Sequence, residues 1–526
     1  MRAAWRAAAV RAAEAPLVAS APPDHWMRAA AWAVARAAKA QARSRTGRAA
    51  GHRALVLVGG GANGGDGLYA AALLARSGWP VTAVLATAHP HAPALAAART
   101  AGVQVALAPS LPATAGLSPL GPARLRAVAA ASPIWLDALT GTGARGPLRG
   151  PAAALVHELL PVRADTQPRV VAVDVPSGVD VDTGAVAGVV LRADVTVTFG
   201  DEKPCLLLPP GCYLAGQVEL ALPELGVEPT GPAPAVVTQD ATELAALWRR
   251  PRPTDHKYTR GVVGLLAGSA TYPGAGILAA AGALGAAPGM VRLLAADGPG
   301  PRPAHVAAQL AAHPALVAAP GRVQARVLGP GGDADQAPAY AAALAAARAD
   351  GLPLVLDAAA LDGLVPPLPP AALLTPHAGE LAALLTAWGQ PRSRAEVEAA
   401  PVAAARAAAQ RAGCVVLLKG HTTVIAAPTD PLYVHSGAPA WLATAGTGDV
   451  LAGILGAALA AVGDEVAALP GPLASGEVAR WASLGVVLHT AAARRCGGPL
   501  SASALAAAVP AALAALLARE DGTMGQ

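Results

Sequence analysis

The stretch Ala54-Leu55-Val56-Leu57-Val58-Gly59-Gly60-Gly61-Ala62-Asn63-Gly64-Gly65-Asp66-Gly67 holds the fold in miniature. Five apolar residues in a row, rich in valine, read as a strand buried on both faces. Glycines end it, and the apolar run at 68–77 predicts a helix beyond them. A strand, a glycine-rich loop and a helix open a βαβ unit whose loop amides can converge on a phosphate or dinucleotide. No Gly-Lys-Ser/Thr follows, so the loop is not a P-loop. No acidic residue ends the next strand near Leu85, which weakens a plain NAD-binding reading.

The same pattern recurs outward from this stretch. Residues 81–85, 134–136, 170–173 and 195–199 are further apolar runs, and two of them end in aspartate, Asp137 and Asp174. A proline-rich segment at 223–234 interrupts the series. It restarts at 262–266, 327–328, 354–356 and 415–418, with alanine-rich helices between. The fold class is α/β with two doubly wound domains: a Rossmann-like three-layer domain at 1–225, a linker at 226–237 and a second domain at 238–526. The halves share no repeat and read as a fusion.

Composition narrows the function. At 526 residues the chain has room for two or more cores. The apolar fraction is 54% and the mean hydropathy +0.43, but alanine dominates and aromatics are 3%. The longest apolar segments are 450–463, which is too short to span a bilayer, and 502–518, which contains Pro510. No membrane span is expected. The start MRAAWRAAAVRAAEAP mixes arginine and Glu14 among alanines and reads as an ordinary helix rather than a secretory signal. Cys205, Cys212, Cys414 and Cys496 form no CxxC, which fits a reduced, cytoplasmic setting. The net charge is +5 with scattered arginines and no basic block, so no nucleic-acid partner is expected. Only Lys39, Lys203, Lys257 and Lys419 are lysine; the other 35 of 39 basic residues are arginine. A lysine kept in such a chain marks a place that needs a compact ammonium.

In an open parallel sheet the carboxyl ends of the strands face one crevice. Asn63, Asp66, Asp137, Asp174 and Ser177 would meet there, an oxygen-rich set suited to a hard cation or to proton transfer. Either aspartate alone could equally cap its turn. In the second half, Ala445-Gly446-Thr447-Gly448-Asp449 precedes a strongly apolar helix. Its amides form an anion hole at a helix N-terminus, with Asp449 as a base at its mouth. That pairing suits phosphoryl transfer to a hydroxyl. Before it come His256-Lys257-Tyr258-Thr259-Arg260-Gly261, Tyr272-Pro273-Gly274-Ala275, Gly329-Pro330-Gly331-Gly332, Thr375-Pro376-His377-Ala378-Gly379-Glu380 and Lys419-Gly420-His421-Thr422-Thr423.

The first set, with Asp137-Ala-Leu-Thr-Gly-Thr-Gly, Val173-Asp174-Val-Pro-Ser177-Gly178 and Thr198-Phe199-Gly200 beside Lys203-Pro204, resembles the NAD(P)H-hydrate epimerase (YjeF N-terminal) family over about 1–225. The resemblance implies a potassium ion held by Asn63, Asp137 and Ser177. It also implies contacts to the hydrated nicotinamide nucleotide from Ala62, Asn63, Gly64, Gly65, Asp66, Gly141, Thr142, Gly143, Ala144, Arg145, Gly146, Pro147 and Asp174, with Asp174 transferring the proton. One departure is Ala62, where the family carries asparagine.

The second set resembles the ribokinase-like superfamily and, within it, the ADP/ATP-dependent NAD(P)H-hydrate dehydratases over about 238–520. Lys419, Gly420, His421, Thr422, Thr423 and Gly448 would then hold ADP or ATP with its magnesium. Ala275, Gly331, His377 and Asp449 would face the hydrated NADH or NADPH, with Asp449 catalytic. The family's Asp-Ala-Asp reads Asp357-Ala358-Ala359 here, and Asp333 follows the glycines at 331–332. The resemblance also implies self-association. Two other readings stay open from sequence: a vitamin-type alcohol kinase, and a first domain that is a degenerate nucleotide-binding module.

Overall fold

The computed structural model describes residues 1–47, 51–113, 116–143, 145–227, 231–294 and 303–518. It divides into two compact units: one of residues 3–235, and one that starts at Val236 and takes in Met1–Arg2. Strand β9 (Val236–Thr238) lies at the start of the second unit, within the segment read as the end of the linker.

The chain begins with a short strand β1 (Arg2–Ala4) and helices α1 (Ala7–Ser20) and α2 (His25–Thr46). The first unit's sheet is then built from β2 (Ala54–Val58), β3 (Val81–Leu85), β4 (Gln104–Leu107), β5 (Ile134–Ala138), β6 (Arg169–Val173), β7 (Val195–Phe199) and β8 (Gln217–Ala221). Between them run α3 (Gly61–Arg76), α4 (Ala92–Thr100), α5 (Pro122–Ala130) and α6 (Gly150–Thr166). The strand order is β4-β3-β2-β5-β6-β7-β8, and every described pair in it is parallel. The chain moves outward from β2 to β4, then returns to β5 on the other side of β2. The crevice between β2 and β5 is thus the point of topological reversal, where open α/β sheets bind ligands.

Side chains alternate across this sheet as period-two geometry requires. Val56, Ile134, Leu136 and Val171 join α2 and α3 in one core, while Leu55, Leu57, Trp135 and Val170 join α5 and α6 in the other. Both faces are buried, which is why these strands read as unbroken apolar runs.

The glycine run departs from the expected loop. Residues 61–67 are already helical as the first turns of α3. Glycine is a poor helix former, but here close packing decides. A Cβ on Gly64 would overlap the carbonyl of Gly59, one on Gly67 the Cβ of Ala138, and one on Gly65 would lie 2.5 Å from the Met27 sulfur. The glycines let α3 sit directly on β2, β5 and α2.

The second unit's strands after β9 are β10 (Val262–Leu266), β11 (Met290–Leu293), β12 (Ala325–Leu328), β13 (Leu354–Leu356), β14 (Ala372–Leu374), β15 (Val415–Leu418), β16 (Thr423–Ala426) and β17 (Leu432–His435). Its helices are α7 (Ala241–Leu247), α8 (Pro273–Gly285), α9 (Ala304–Ala312), α10 (Ala337–Asp350), α11 (Ala378–Ala387), α12 (Arg394–Ala399), α13 (Pro401–Ala412), α14 (Thr447–Ala460), α15 (Gly463–Ala467), α16 (Gly471–Cys496) and α17 (Ala502–Leu517). From β9 the sheet runs β9-β17-β16-β15-β14-β13-β12-β10-β11. It is parallel except where β16 pairs antiparallel with β15 and β17. No described helix is long and apolar enough to cross a membrane.

Helix α14 runs antiparallel to the strands. Its C-terminal Ala460 lies against Gly261 just before β10, while Gly448 in its first turn lies near the Lys419 ammonium just after β15. Its positive dipole end therefore faces the carboxyl ends of the strands. Two glycines seat α14 on α8: a Cβ on Gly453 would overlap the Ala279 carbonyl, and one on Gly282 the Val450 carbonyl. Gly453→Ala should therefore force the helices apart and cost about 1–3 kcal/mol as an overpacked core does. Chemical denaturation of the variant checks this; an unchanged midpoint would mean that the helices can part freely.

Candidate active sites

In the first unit the crevice gathers residues from three strand ends and two helices. Asp137, the fourth residue of β5, is fully buried. Its carboxylate accepts from the Ser177 amide at 3.0 Å and the Leu139 amide at 3.4 Å. Burial pushes its acidity down, raising the pKa, while these hydrogen bonds oppose the shift. The Ser177 hydroxyl accepts from the Thr140 amide at 3.0 Å. Asn63 is buried on α3 beside Gly141: a Cβ on Gly141 would come within 2.9 Å of the Asn63 amide oxygen. Neither the oxygen nor the nitrogen of that amide has a hydrogen-bond partner. A buried, unsatisfied amide carries a desolvation cost, and its oxygen is what an oxygen-seeking cation would satisfy.

Asp174 follows β6 with φ +69°, in the left-handed region that a non-glycine residue rarely occupies. One carboxylate oxygen accepts from the Lys203 ammonium at 2.7 Å and the Thr198 hydroxyl at 3.2 Å. The other accepts from the Thr142 amide at 2.9 Å. Asp66 on α3 is buried nearby, and burial followed by the charges of Asp174 and Glu14 raises its pKa well above the carboxylate range. Gly146 donates its amide to Asp180, and Arg145 pairs with Asp182 at 3.0 Å, so this loop is tied to the segment after Ser177. Ala62 is exposed at the start of α3, while Gly64 and Gly65 are buried in it. Pro147 lies against Gly188, and Ala144 falls outside the described residues.

In the second unit a row of strand ends forms the floor. The amides of Gly329, Asp357, Thr375 and Lys419 bond in turn to Leu266, Leu328, Leu356 and Pro376. Asp357, just past β13, is 2% exposed. It accepts from the Thr375 hydroxyl at 2.8 Å and the Lys419 ammonium at 2.7 Å. Burial alone would lower the Lys419 pKa, but Asp357, Glu380 and Asp449 together raise it. Gly446 caps α14 with φ +90°, a conformation natural to glycine, and α14 begins at Thr447. Thr447 donates its hydroxyl to Leu442 and Thr444, and its carbonyl meets His489 Nε2 at 3.1 Å. Burial holds the His489 pKa down at about 4, so the ring is neutral and donates there.

Asp449 is the third residue of α14. Burial and the charge of Asp357 raise its pKa to about 6, with Lys419 pulling the other way. A carboxylate near 6 is ionised at neutral pH and is a stronger base than a free aspartate. A carboxyl 13C titration of Asp449 is expected to show a midpoint near pH 6. In Lys419→Met the midpoint should rise, since the ammonium that favours the ionised form is gone; a midpoint near 4 in either protein would contradict this electrostatic picture.

Ala275 opens α8 beside Gly331, whose φ is +59° and whose absent Cβ leaves room for the Ala275 methyl. His377 is the N-cap of α11: its Nδ1 accepts the amides of Gly379 and Glu380, both at 3.1 Å, and its side chain is 59% exposed. A backbone bridge sets it beside Lys419. Thr422 is buried, His421 and Gly420 are exposed, and Thr423 starts β16. Asp333 does not stand as a bare charge beside the glycines. The hydroxyls of Ser269 and Thr271 bond its carboxylate and lower its pKa. The sequence reading gave no role to Asp357, Thr198, Glu14 or His489. It did flag Lys203 and Lys419 by the scarcity of lysine, and both prove to be bonded to an aspartate at a strand end.

Comparisons with known proteins match each unit separately. Residues 23–205 fit the family model "YjeF-related protein N-terminus", and residues 263–496 fit "NAD(P)H-hydrate dehydratase". The chain is 41% identical over 465 residues to the bifunctional NAD(P)H-hydrate repair enzyme Nnr of Mycobacterium tuberculosis, covering 86% of this chain and 88% of that one. It is 43% identical over 234 residues to an NAD(P)H-hydrate epimerase of Clavibacter sepedonicus, covering 44% of this chain and 93% of that one. Among solved structures, an ADP/ATP-dependent NAD(P)H-hydrate dehydratase from Bacillus subtilis, co-crystallised with ATP/Mg2+, aligns at 24% identity and TM-score 0.44, covering 53% of this chain and 98% of that one.

Proposed function

We propose that this chain, which belongs to the family of bifunctional NAD(P)H-hydrate repair enzymes, performs both reactions of that repair on one substrate. The first unit interconverts the R and S hydrates of NADH and NADPH. The second dehydrates the S form at the expense of ADP or ATP. The observation that carries the reading is that each unit holds a strand-end or helix-start acid beside a lysine: Asp174 with Lys203, and Asp449 with Lys419.

In the first unit Asp174 is the proton-transfer residue at the hydrated ring carbon, with Asp66 and the residues at 62–65 and 141–147 around the nucleotide. Asn63, Asp137 and Ser177 would hold a potassium ion, since the Asn63 amide is buried without a partner and the other two add a carboxylate and a hydroxyl. A bound cation there supplies positive charge to the substrate's polar groups. In the second unit the residues at 419–423 and Gly448 hold the nucleotide, and Ala275, Gly331 and His377 line the side where the hydrate lies. Asp449 takes the proton of the ring hydroxyl as that oxygen attacks the terminal phosphate, which breaks its bridging P–O bond and releases AMP from ADP or ADP from ATP. The first-turn amides of α14 stabilise the charge that develops. The resulting phosphate ester leaves under the push of the ring nitrogen, a proton leaves the adjacent carbon, and the dihydronicotinamide returns. Magnesium would arrive with the nucleotide phosphates, its usual mode of binding. We extend the reading to an assembly of like chains in the cytoplasm, checked by light scattering and fractionation.

The test is recovery of dihydronicotinamide absorbance from separated R and S hydrates with ADP or ATP. The reading expects recovery from S directly and from R after conversion to S. A stable phosphorylated product, or no absorbance, would favour a small-molecule kinase and sink it.

A further inference from the structure

Asp66, Asp137, Asp174 and Glu14 lie at the first unit's crevice, and among the described residues Asp174 is the one with a cation bonded to it. Lys203 is fully buried. Its ammonium donates to Asp174 Oδ1 at 2.7 Å, to the Thr198 hydroxyl at 3.0 Å and to the Phe199 carbonyl at 2.7 Å. An ammonium has three donors, and all three are spent. Thr198 also donates to Oδ1 at 3.2 Å, which fills that oxygen's two acceptor positions. Among the described residues Oδ2 accepts only the Thr142 amide, which leaves it one lone pair.

We propose that Lys203 is a positioning residue for epimerisation. It clamps Oδ1 of Asp174 against the end of β7 and leaves Oδ2 as the oxygen that exchanges a proton with the hydrate. The proposal rests on the reading of the first unit as an epimerase. In that exchange a proton passes from the hydrate's hydroxyl to Oδ2 as the ring carbon–nitrogen bond breaks, which leaves an aldehyde and puts the electron pair on the ring nitrogen. The nitrogen then re-forms the bond on the other face of the carbonyl and Oδ2 returns the proton to the oxygen, so no other reactant is consumed.

Several charged and titratable groups surround Asp174. Lys203 and Cys205 come from the segment after β7, Asp66 from α3, and Glu14 from α1 with Arg11 and Asp201 beside it. Burial, set against the Lys203 charge and joined by that of Asp174, lifts the Glu14 pKa to about 7, and burial with the charges of Asp174 and Glu14 raises that of Asp66 well above its ordinary value. One ammonium stands among these carboxyls, and among the described residues Asp174 is the one it bonds. The use of lysine here is specific. This chain uses arginine at 35 of 39 basic positions, yet a planar guanidinium cannot meet three converging acceptors in a closed pocket as an ammonium does.

The experiment uses the full chain, without nucleotide, and follows interconversion of separated R and S hydrates of NADH from pH 5 to 9. In Lys203→Met, kcat at pH 7 is expected to fall about 100-fold with KM unchanged. The acid limb of kcat/KM should move up by about one pH unit or more, so activity partly returns at high pH. A lower kcat with an unmoved limb would reduce Lys203 to a structural residue and overturn the proposal, as would full activity. Thr198→Val, which removes one donor to Oδ1, should move the limb the same way by less; it decides the matter if Lys203→Met fails to fold. No interconversion by the wild-type chain would instead remove the epimerase reading, a result distinct from an active wild type with an unaffected Lys203→Met.

Discussion

Asp449→Asn is expected to abolish ADP- or ATP-driven recovery of the dihydronicotinamide while leaving R/S interconversion untouched. An amide keeps the size of the side chain but cannot take a proton, and loss of a general base costs about 10²–10⁴-fold in rate. The nucleotide should still bind, because Lys419 and the first-turn amides of α14 remain. The variant should also be more stable than the parent at pH 7. The native carboxyl is raised to about 6 by burial and by Asp357, so its ionised form is penalised in the folded state. That penalty is present above pH 6 and fades as pH falls toward the ordinary carboxylate range, where both states are protonated. A neutral amide carries none of it. Kinetics on the S hydrate, HPLC on the R hydrate and a melt at pH 7 test the three parts; loss of epimerisation, or a lower Tm, would contradict the assignment.

Asp174→Asn is expected to give the mirror result in catalysis and the opposite result in stability. Interconversion should fall by about 10²–10⁴-fold, and dehydration of supplied S hydrate should persist. Here the residue removed is one half of a buried pair: Lys203 is fully buried with Asp174 at 2.7 Å. Removing one partner strands the other charge, which costs about 3–5 kcal/mol. Calorimetry should show the transition of the first unit moving down. The two substitutions are chemically identical, yet they differ in sign because one acid is crowded by another acid and the other is bonded to an ammonium. Retained interconversion in Asp174→Asn would move the proton-transfer role to another residue.

Much of this was legible in sequence, for a physical reason. Strands of a parallel sheet covered on both faces have no polar side to disguise them, so residues 54–58 and 415–418 stand out as apolar runs, and the residues just after each land at the crevice of their own unit. The helix start at Thr447 was legible because glycine and a polar residue precede an apolar run. What sequence hid was mostly pairing at a distance. Asp357 and Lys419 are 62 positions apart, and Asp174 and Lys203 are 29 apart. No periodicity links such partners: Asp174 stood out as a strand end and Lys419 in its motif, and both lysines by their rarity, but nothing joined either to its partner. Residues 61–67 misled in a different way. Their glycines look like a loop by propensity, but helix α3 needs them in order to touch β2 and β5. The β15–β16–β17 antiparallel turnback was missed because these strands are only four residues each, although Pro428-Thr429-Asp430-Pro431 between β16 and β17 is a turn signal.

The mutual seating of Gly282 on Val450 and Gly453 on Ala279 has a mechanical consequence. A joint of side chains yields, because rotamers can change to let one helix slide. Backbone against backbone has no such slack, so the starts of α8 and α14 move as one stiff piece. Ala275 and the amides at 446–448 then keep a fixed spacing through the catalytic cycle. Whatever breathing admits substrates and releases products falls to the loops around that piece, and the distance between hydroxyl and phosphate is set by masonry rather than by a hinge.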